Sequence, residues 1–411
     1  MGGSWAFNWV QIMAHNRNAL VTVWTLISLI IALGNFFLDW QPLQSQIGLL
    51  LLSVIAMSLA VAYLLESPKA AMVQLLVSLY SLAMSFGILG WLGIELDNTA
   101  VLGIVVVITL MTSNLVHIMS GLLREMARGL FQYDAIAEAL KLNAVPVLLS
   151  NLTTALGFIA AAYFESAFSS LAWLVGIGVL VSYLVALSWL PMLLLNWLLE
   201  FRVGNTADRH GLNSWSEWLQ HGVKRQQILL WMSVVIGIGL IVFAWQSFDH
   251  VGELFILATI FWFLFAIYWK SLRLAVLNIA MNLVALLLTL SLFYLFNSTA
   301  QTDSQLSLLL MMMPLGLIVD DGIHFFSRYA RAQNSFFSDP ISAVKFALAS
   351  VGRAIWVTSW ILFVGLAVLV FSGNTMVWQS SLITILALAV STLLILAVVP
   401  AMLMAFGKAG R

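Results

Sequence analysis

The chain has 411 residues, of which 62% are hydrophobic and only 8% charged, and its formal net charge is zero. Soluble domains carry about a quarter charged residues, so this composition excludes an ordinary soluble enzyme or a basic nucleic-acid binder and points to a multi-pass membrane protein. With no cysteine, disulfide frameworks and thiolate metal sites are excluded too.

The N-terminus, MGGSWAFNWVQIMAHNR, lacks the basic-then-apolar order of a cleavable signal, so the first apolar run is expected to stay as a helix. About 20 apolar residues cross a bilayer as a helix. Twelve such runs follow one another, near 18–37, 46–65, 70–92, 98–122, 145–165, 169–198, 227–246, 251–269, 273–296, 305–327, 354–373 and 377–406. The expected fold is an all-α polytopic membrane protein with twelve transmembrane helices. Residues 1–199 form a first six-helix repeat, 200–226 a cytoplasmic linker and 227–411 a second repeat.

Charge sets the orientation. On this threading Arg17, Lys69, the 124–141 segment, the 202–225 linker, Lys270, Arg273, the 328–353 segment, Lys408 and Arg411 all fall on one side. The other side carries acids: Asp39, Glu95, Asp97, Glu165, Asp249, Glu253 and Asp303. By the positive-inside rule both termini are expected in the cytoplasm, with Trp40, Trp91, Trp245 and Trp378 near the outer span ends as an aromatic belt. Apolar residues punctuate two charged segments, Leu130, Phe131, Ile136, Ala137 and Leu140 after the fourth run and Ile341, Val344, Phe346 and Leu348 after the tenth. Both segments read as helices lying in the interface, and Trp215, Trp218 and Leu219 hint at a third in the linker.

The halves echo each other. His117 and His324 each follow a polar dipeptide at the same spacing, Ser113-Asn114 and Asp320-Asp321. Asp134 and Asp339 each lead, at equal distance, into Thr153-Thr154 and Thr358-Ser359. Two halves that each hold an even number of spans enter from the same side, so the repeat is parallel, with a pseudo-twofold along the membrane normal.

The tenth run holds the chemistry. Residues 311–328 read MMMPLGLIVDDGIHFFSR, and no Lys or Arg precedes Arg328 within them. Acids at that depth are costly, and by default they face a bundle interior and serve function. On a helix His324 lies within one turn of both Asp320 and Asp321. Two adjacent carboxylates in low dielectric cannot both stay ionised cheaply, so the pair is expected to load and unload a proton as a coupled unit. Pro314 falls six residues before Asp320 and is expected to kink the helix.

The stretch PLGLIVDDGIHFFSRYARA resembles the tenth-span signature of the resistance/nodulation/division (RND) transporter superfamily, nearest to its MMPL and hydrophobe-exporter branches. ILGWLGIELDNTAVLGIVVV, SNLTTALGFIA and WKSLRLAVLNIAMNLVALLL are similar to that superfamily's third-to-fourth connection, fifth-span start and eighth-to-ninth turn. The resemblance implies a proton-driven exporter or lipid mover of the bacterial inner membrane whose relay falls on Asp320, Asp321 and His324. It also implies a supporting polar cluster of Ser113, Asn114, His117, Thr153, Thr154, Thr358 and Ser359. Ser113 and Asn114 cannot titrate, so the relay is one-sided.

The resemblance departs from the family outside the membrane. Connections near 37–46 and 246–251 leave no room for the large porter domains most members carry. This fits a minimal member or a larger exporter's core without its outer loops. The expected substrate is hydrophobic or lipid-like and the expected surroundings are lipid, with no nucleic acid. The competing expectation is a non-transporting lipid- or partner-binding module of the sterol-sensing kind. No phosphate loop, metal-ligand spacing or nucleophile with its base is present in the sequence, so no enzyme, cofactor or metal is expected.

Overall fold

The computed structural model describes residues 5–197, 211–220, 238, 239, 242, 250–296, 304–337 and 339–406. Among the described residues every regular element is helical. Eleven stretches are long and apolar enough to cross a membrane, and each coincides with a predicted run. The predicted run at 227–246 lies outside the described residues, apart from three positions. The chain is a helical, multi-pass membrane protein.

The chain folds as two compact units, Met1–Arg209 with Trp360–Trp378, and His210–Ser359 with Gln379–Arg411. In the first unit α1 (Trp5–His15), α2 (Arg17–Leu33), α3 (Ile47–Leu64), α4 (Pro68–Trp91), α5 (Ala100–Ala127), α6 (Gln132–Phe164), α7 (Ser169–Leu187) and α8 (Trp189–Asn196) follow in order. The second holds a short helix at 213–220, α9, then α10 (Val251–Trp269), α11 (Leu272–Phe296), α12 (Ser304–Ser335) and α13 (Pro340–Ala347). Three more helices complete the chain: α14 (Arg353–Leu369), α15 (Thr375–Leu393) and α16 (Val399–Phe406).

A helix that is apolar all round belongs in a core, and α5 obeys this, with every residue from Ala100 to Met119 buried. Helices α4, α6 and α7 pack around it. Glycines let α2 and α4 touch backbone to backbone. A Cβ on Gly87 would stand 2.2 Å from the carbonyl oxygen of Ile31, and one on Gly90 would stand 1.9 Å from that of Gly34. In the second unit α12 plays the part of α5, with every residue from 306 to 326 buried and α11 and α13 against it.

The same capping device opens matching helices. Ser67 Oγ accepts from Ala70 N at 3.2 Å at the start of α4, and Ser271 Oγ accepts from Leu274 N at 3.4 Å at the start of α11.

Two expectations change. The segment after the fourth span is not a separate interfacial helix, because α6 runs unbroken through Pro146 into the fifth span. After the tenth span, α13, capped by Asp339 on Ser342 N, passes into α14 through a π-helical turn at Leu348–Gly352. Charged residues at these helix starts read as a break in the sequence, yet their backbone is helix-compatible and continues. Helix α1 was not anticipated. Its Ala6, Val10 and Met13 face inward at helical spacing, and Trp9 Nε1 donates to Leu187 O at 2.8 Å. The linker segment at 213–220 is helical as α9, where Trp215 and Trp218 stack at 4.8 Å between ring centroids.

Candidate functional site

Helix α12 carries Asp320, Asp321 and His324 at 4%, 5% and 1% exposure. It continues as a helix through Pro314. Neighbouring residues on a helix point about 100° apart, so the two acids, adjacent in sequence, have different surroundings. Asp320 Oδ1 lies 3.5 Å from His324 Nε2, one turn further on. Asp321 faces hydroxyls. Ser359 Oγ donates to its Oδ2 at 3.1 Å, Thr392 Oγ1 lies 3.5 Å from the same oxygen, and Thr358 Oγ1 lies 3.5 Å from Oδ1.

Each of these hydroxyls has another partner. Thr358 Oγ1 lies 3.0 Å from Ala354 O and 2.9 Å from Ile355 O, while Ser359 Oγ lies 2.8 Å from Ile355 O and 2.7 Å from Thr392 Oγ1. A hydroxyl has one proton to give. Each therefore chooses between the carboxylate and its own neighbours.

Irregular backbone brackets this cluster. One π-helical turn, Leu348–Gly352, ends six residues before Thr358, and another, Leu394–Val398, begins two residues after Thr392. Such turns widen the helix and recur at functional sites. Beyond His324 the surroundings become aromatic: Trp269 stacks on Phe265 at 5.1 Å, lies 5.5 Å from Phe326 and donates to Ser327 Oγ at 3.2 Å.

Of the predicted supporting residues, Thr358 and Ser359 meet Asp321. Ser113, Asn114 and His117 are buried on α5, and Thr153 and Thr154 on α6. Asn114 Nδ2 donates to Asn151 Oδ1 at 3.0 Å, Asn151 Nδ2 passes on to Val179 O at 3.0 Å, and Thr153 Oγ1 turns back to Ser150 O at 2.9 Å. This first-unit chain of bonds is built from neutral groups. The sequence reading missed Thr392, Ser391, Asn278, Asn282 and Asn151. Ser391-Thr392 is a polar doublet in an apolar run, and Asn278 and Asn282 stand four apart in LNIAMNLV, so the signal was present.

Asn151 also lines a groove of about 670 Å³ between α6 and α7, walled by Leu152, Ala155, Ile159, Trp173 and Leu180.

Comparison with known proteins bears on the half that holds Asp320 and Asp321. Residues 241–411 match the MMPL family. The resemblance to the RND superfamily in its MMPL branch, read above from motif order, is thus supported over residues 241–411. Two solved structures share the fold. One is SecDF from Thermus thermophilus, described as a translocon-associated membrane protein, with a TM-score of 0.70 and 15% identity over 89% of this chain and 62% of that one. The other is SecDF in a super-membrane-facing form, with a TM-score of 0.66 and 14% identity over 91% of this chain and 63% of that one. The chain therefore spans less than two thirds of the length of either. No curated protein matches.

Proposed function

We propose that this protein is a proton-coupled transporter of the bacterial inner membrane, both termini cytoplasmic, that moves a hydrophobic or lipid-like molecule. In this reading Asp321 takes up and releases the proton and Asp320 with His324 delivers it. One observation carries it: a buried carboxylate held by three hydroxyls, two of which have backbone acceptors to return to. When Asp321 is ionised, the hydroxyls of Thr358, Ser359 and Thr392 turn toward it. When it is protonated it becomes a donor, and Thr358 and Ser359 return to the carbonyls of Ala354 and Ile355. Protonation thus rewrites the hydrogen bonding of α14 and α15 next to two π-helical turns, a local element with two arrangements. The MMPL match over this half supports the reading. The apolar groove in the first unit supports the substrate class, since pockets of this kind take apolar molecules with a few polar contacts.

Reconstitution into liposomes with a pH-sensitive dye tests it. Under an imposed gradient the wild type is expected to carry protons, and Asp321→Asn is expected to stop them. Full activity in the Asp320→Asn, Asp321→Asn double variant would refute the coupling and favour the lipid-binding module.

A second reading has one observation in its favour. The fold matches SecDF, described as translocon-associated, over 89% of this chain. Here the same proton exchange would serve protein translocation. The cargo distinguishes the two: a labelled lipid moved by the purified protein alone supports the first, and stimulation of a translocon supports the second.

A further inference from the structure

Matching positions in the two halves are completed differently. Seven residues after the serine that caps α4 stands Gln74, and its carboxamide is fully used. Oε1 accepts from Ser58 Oγ at 2.7 Å, while Nε2 donates to Thr112 Oγ1 at 2.9 Å and to Ser78 Oγ at 3.3 Å. Seven residues after the serine that caps α11 stands Asn278, followed four residues later by Asn282, as Gln74 is by Ser78. The side chain of Asn278 is one methylene shorter. The residue on α12 that corresponds to Thr112, one before the polar dipeptide, is Val319, which offers no acceptor.

Asn278 is wholly buried. Its Oδ1 accepts from Asn282 Nδ2 at 3.3 Å and presses on Gly322, where a Cβ would stand 2.0 Å away. Among the described residues its Nδ2 has no hydrogen-bond partner. A buried amide without an acceptor bears its full desolvation penalty, and buried waters take such groups, making about three hydrogen bonds each. The surroundings are polar in one direction. Asn282 Oδ1 accepts from Ser391 Oγ at 3.3 Å, Ser391 Oγ also lies 3.4 Å from Ile318 O, and the next residue, Thr392, touches Asp321.

We propose that Asn278 anchors a buried water where α11 meets α12. This water borders the amide of Asn282 and the hydroxyl of Ser391, one residue before the Thr392 contact with Asp321, and serves the proton exchange there. The second half of the proposal rests on the proton-coupled reading above. Asn278 touches no titrating atom and is a positioning residue. It stands six residues, about 9 Å, into α11 from the end next to Lys270 and Arg273.

The test is radiolytic footprinting of the full-length protein in ¹⁸O-water, read at Met281. This residue is 5% exposed, and its Cε would lie 3.4 Å from a Cβ at Gly322. Radicals born from a bound water label this buried methionine. Wild type is expected to label about tenfold faster than Asn278→Leu, which removes the donor, and Asn278→Ser, which keeps a donor, is expected to restore labelling. Equal labelling in wild type and Asn278→Leu overturns the water. Proton flux in the same liposomes is expected to fall about tenfold in Asn278→Leu and to recover in Asn278→Ser. Unchanged flux with the label lost overturns the water's role in exchange. If the wild type carries no protons at all, the proton-coupled reading fails instead, and the label alone decides the water.

Discussion

At the scale of residues, the two acids divide their surroundings: Asp320 has an imidazole and Asp321 has hydroxyls. The sequence made the doublet and His324 legible, because charge inside an apolar run stands out against any composition. It hid the division, which follows from the 100° step between neighbours on a helix and from hydroxyls brought in from helices 37 and 71 residues away. Thr358 and Ser359 were readable through the repeat. Thr392 was marked only as part of the Ser391-Thr392 doublet, which does not say what either side chain faces. If the hydroxyls stabilise the ionised form, Ser359→Ala removes the shortest of the three contacts at 3.1 Å and should slow proton flux about tenfold. Thr392→Val, with a 3.5 Å contact, should cost less. Flux measured side by side in liposomes checks the order.

At the scale of elements, hydropathy located each described span because bilayer thickness fixes the length of an apolar run. Helix ends were less legible. The continuation of α6 upstream of Pro146 and the π-helical turns at Leu348–Gly352 and Leu394–Val398 leave no mark in periodicity. Nor did the sequence reveal how closely α2 and α4 approach. Since a Cβ on Gly90 would stand 1.9 Å from a backbone oxygen that cannot turn aside, Gly90→Val should lower stability by about 1–3 kcal/mol. Gly93→Ala is a poor control because Gly93 has a positive φ of 66°. Gly48→Ala, with nothing within 4 Å of the added carbon, should melt like wild type in detergent.

At the scale of the whole molecule, the described parts of the two halves share capping serines on matching helices and a long buried stretch in a central helix, 100–119 and 306–326, but not their chemistry. The first unit holds Asn114 and Asn151 in neutral bonds beside an apolar groove, and the second holds the acids. The proposed function therefore has substrate binding and proton exchange in different units, and substitutions should separate them. Gly176 lines the groove with open space around it, so Gly176→Trp should fold normally, block uptake of a hydrophobic probe and leave Asp321 titratable. Loss of both functions together would show that the groove is not a separate site.

The central claim is that Asp321 changes its protonation state inside the membrane protein. Infrared difference spectroscopy across a pH step reads this at the bond itself. Subtracting the Asp321→Asn difference spectrum removes the bands of the chain's other carboxyls, and the remainder should hold one carboxylic C=O band that shifts in heavy water and persists when both spectra carry Asp320→Asn. Identical difference spectra for wild type and Asp321→Asn at every pH where the protein stays folded would contradict the account.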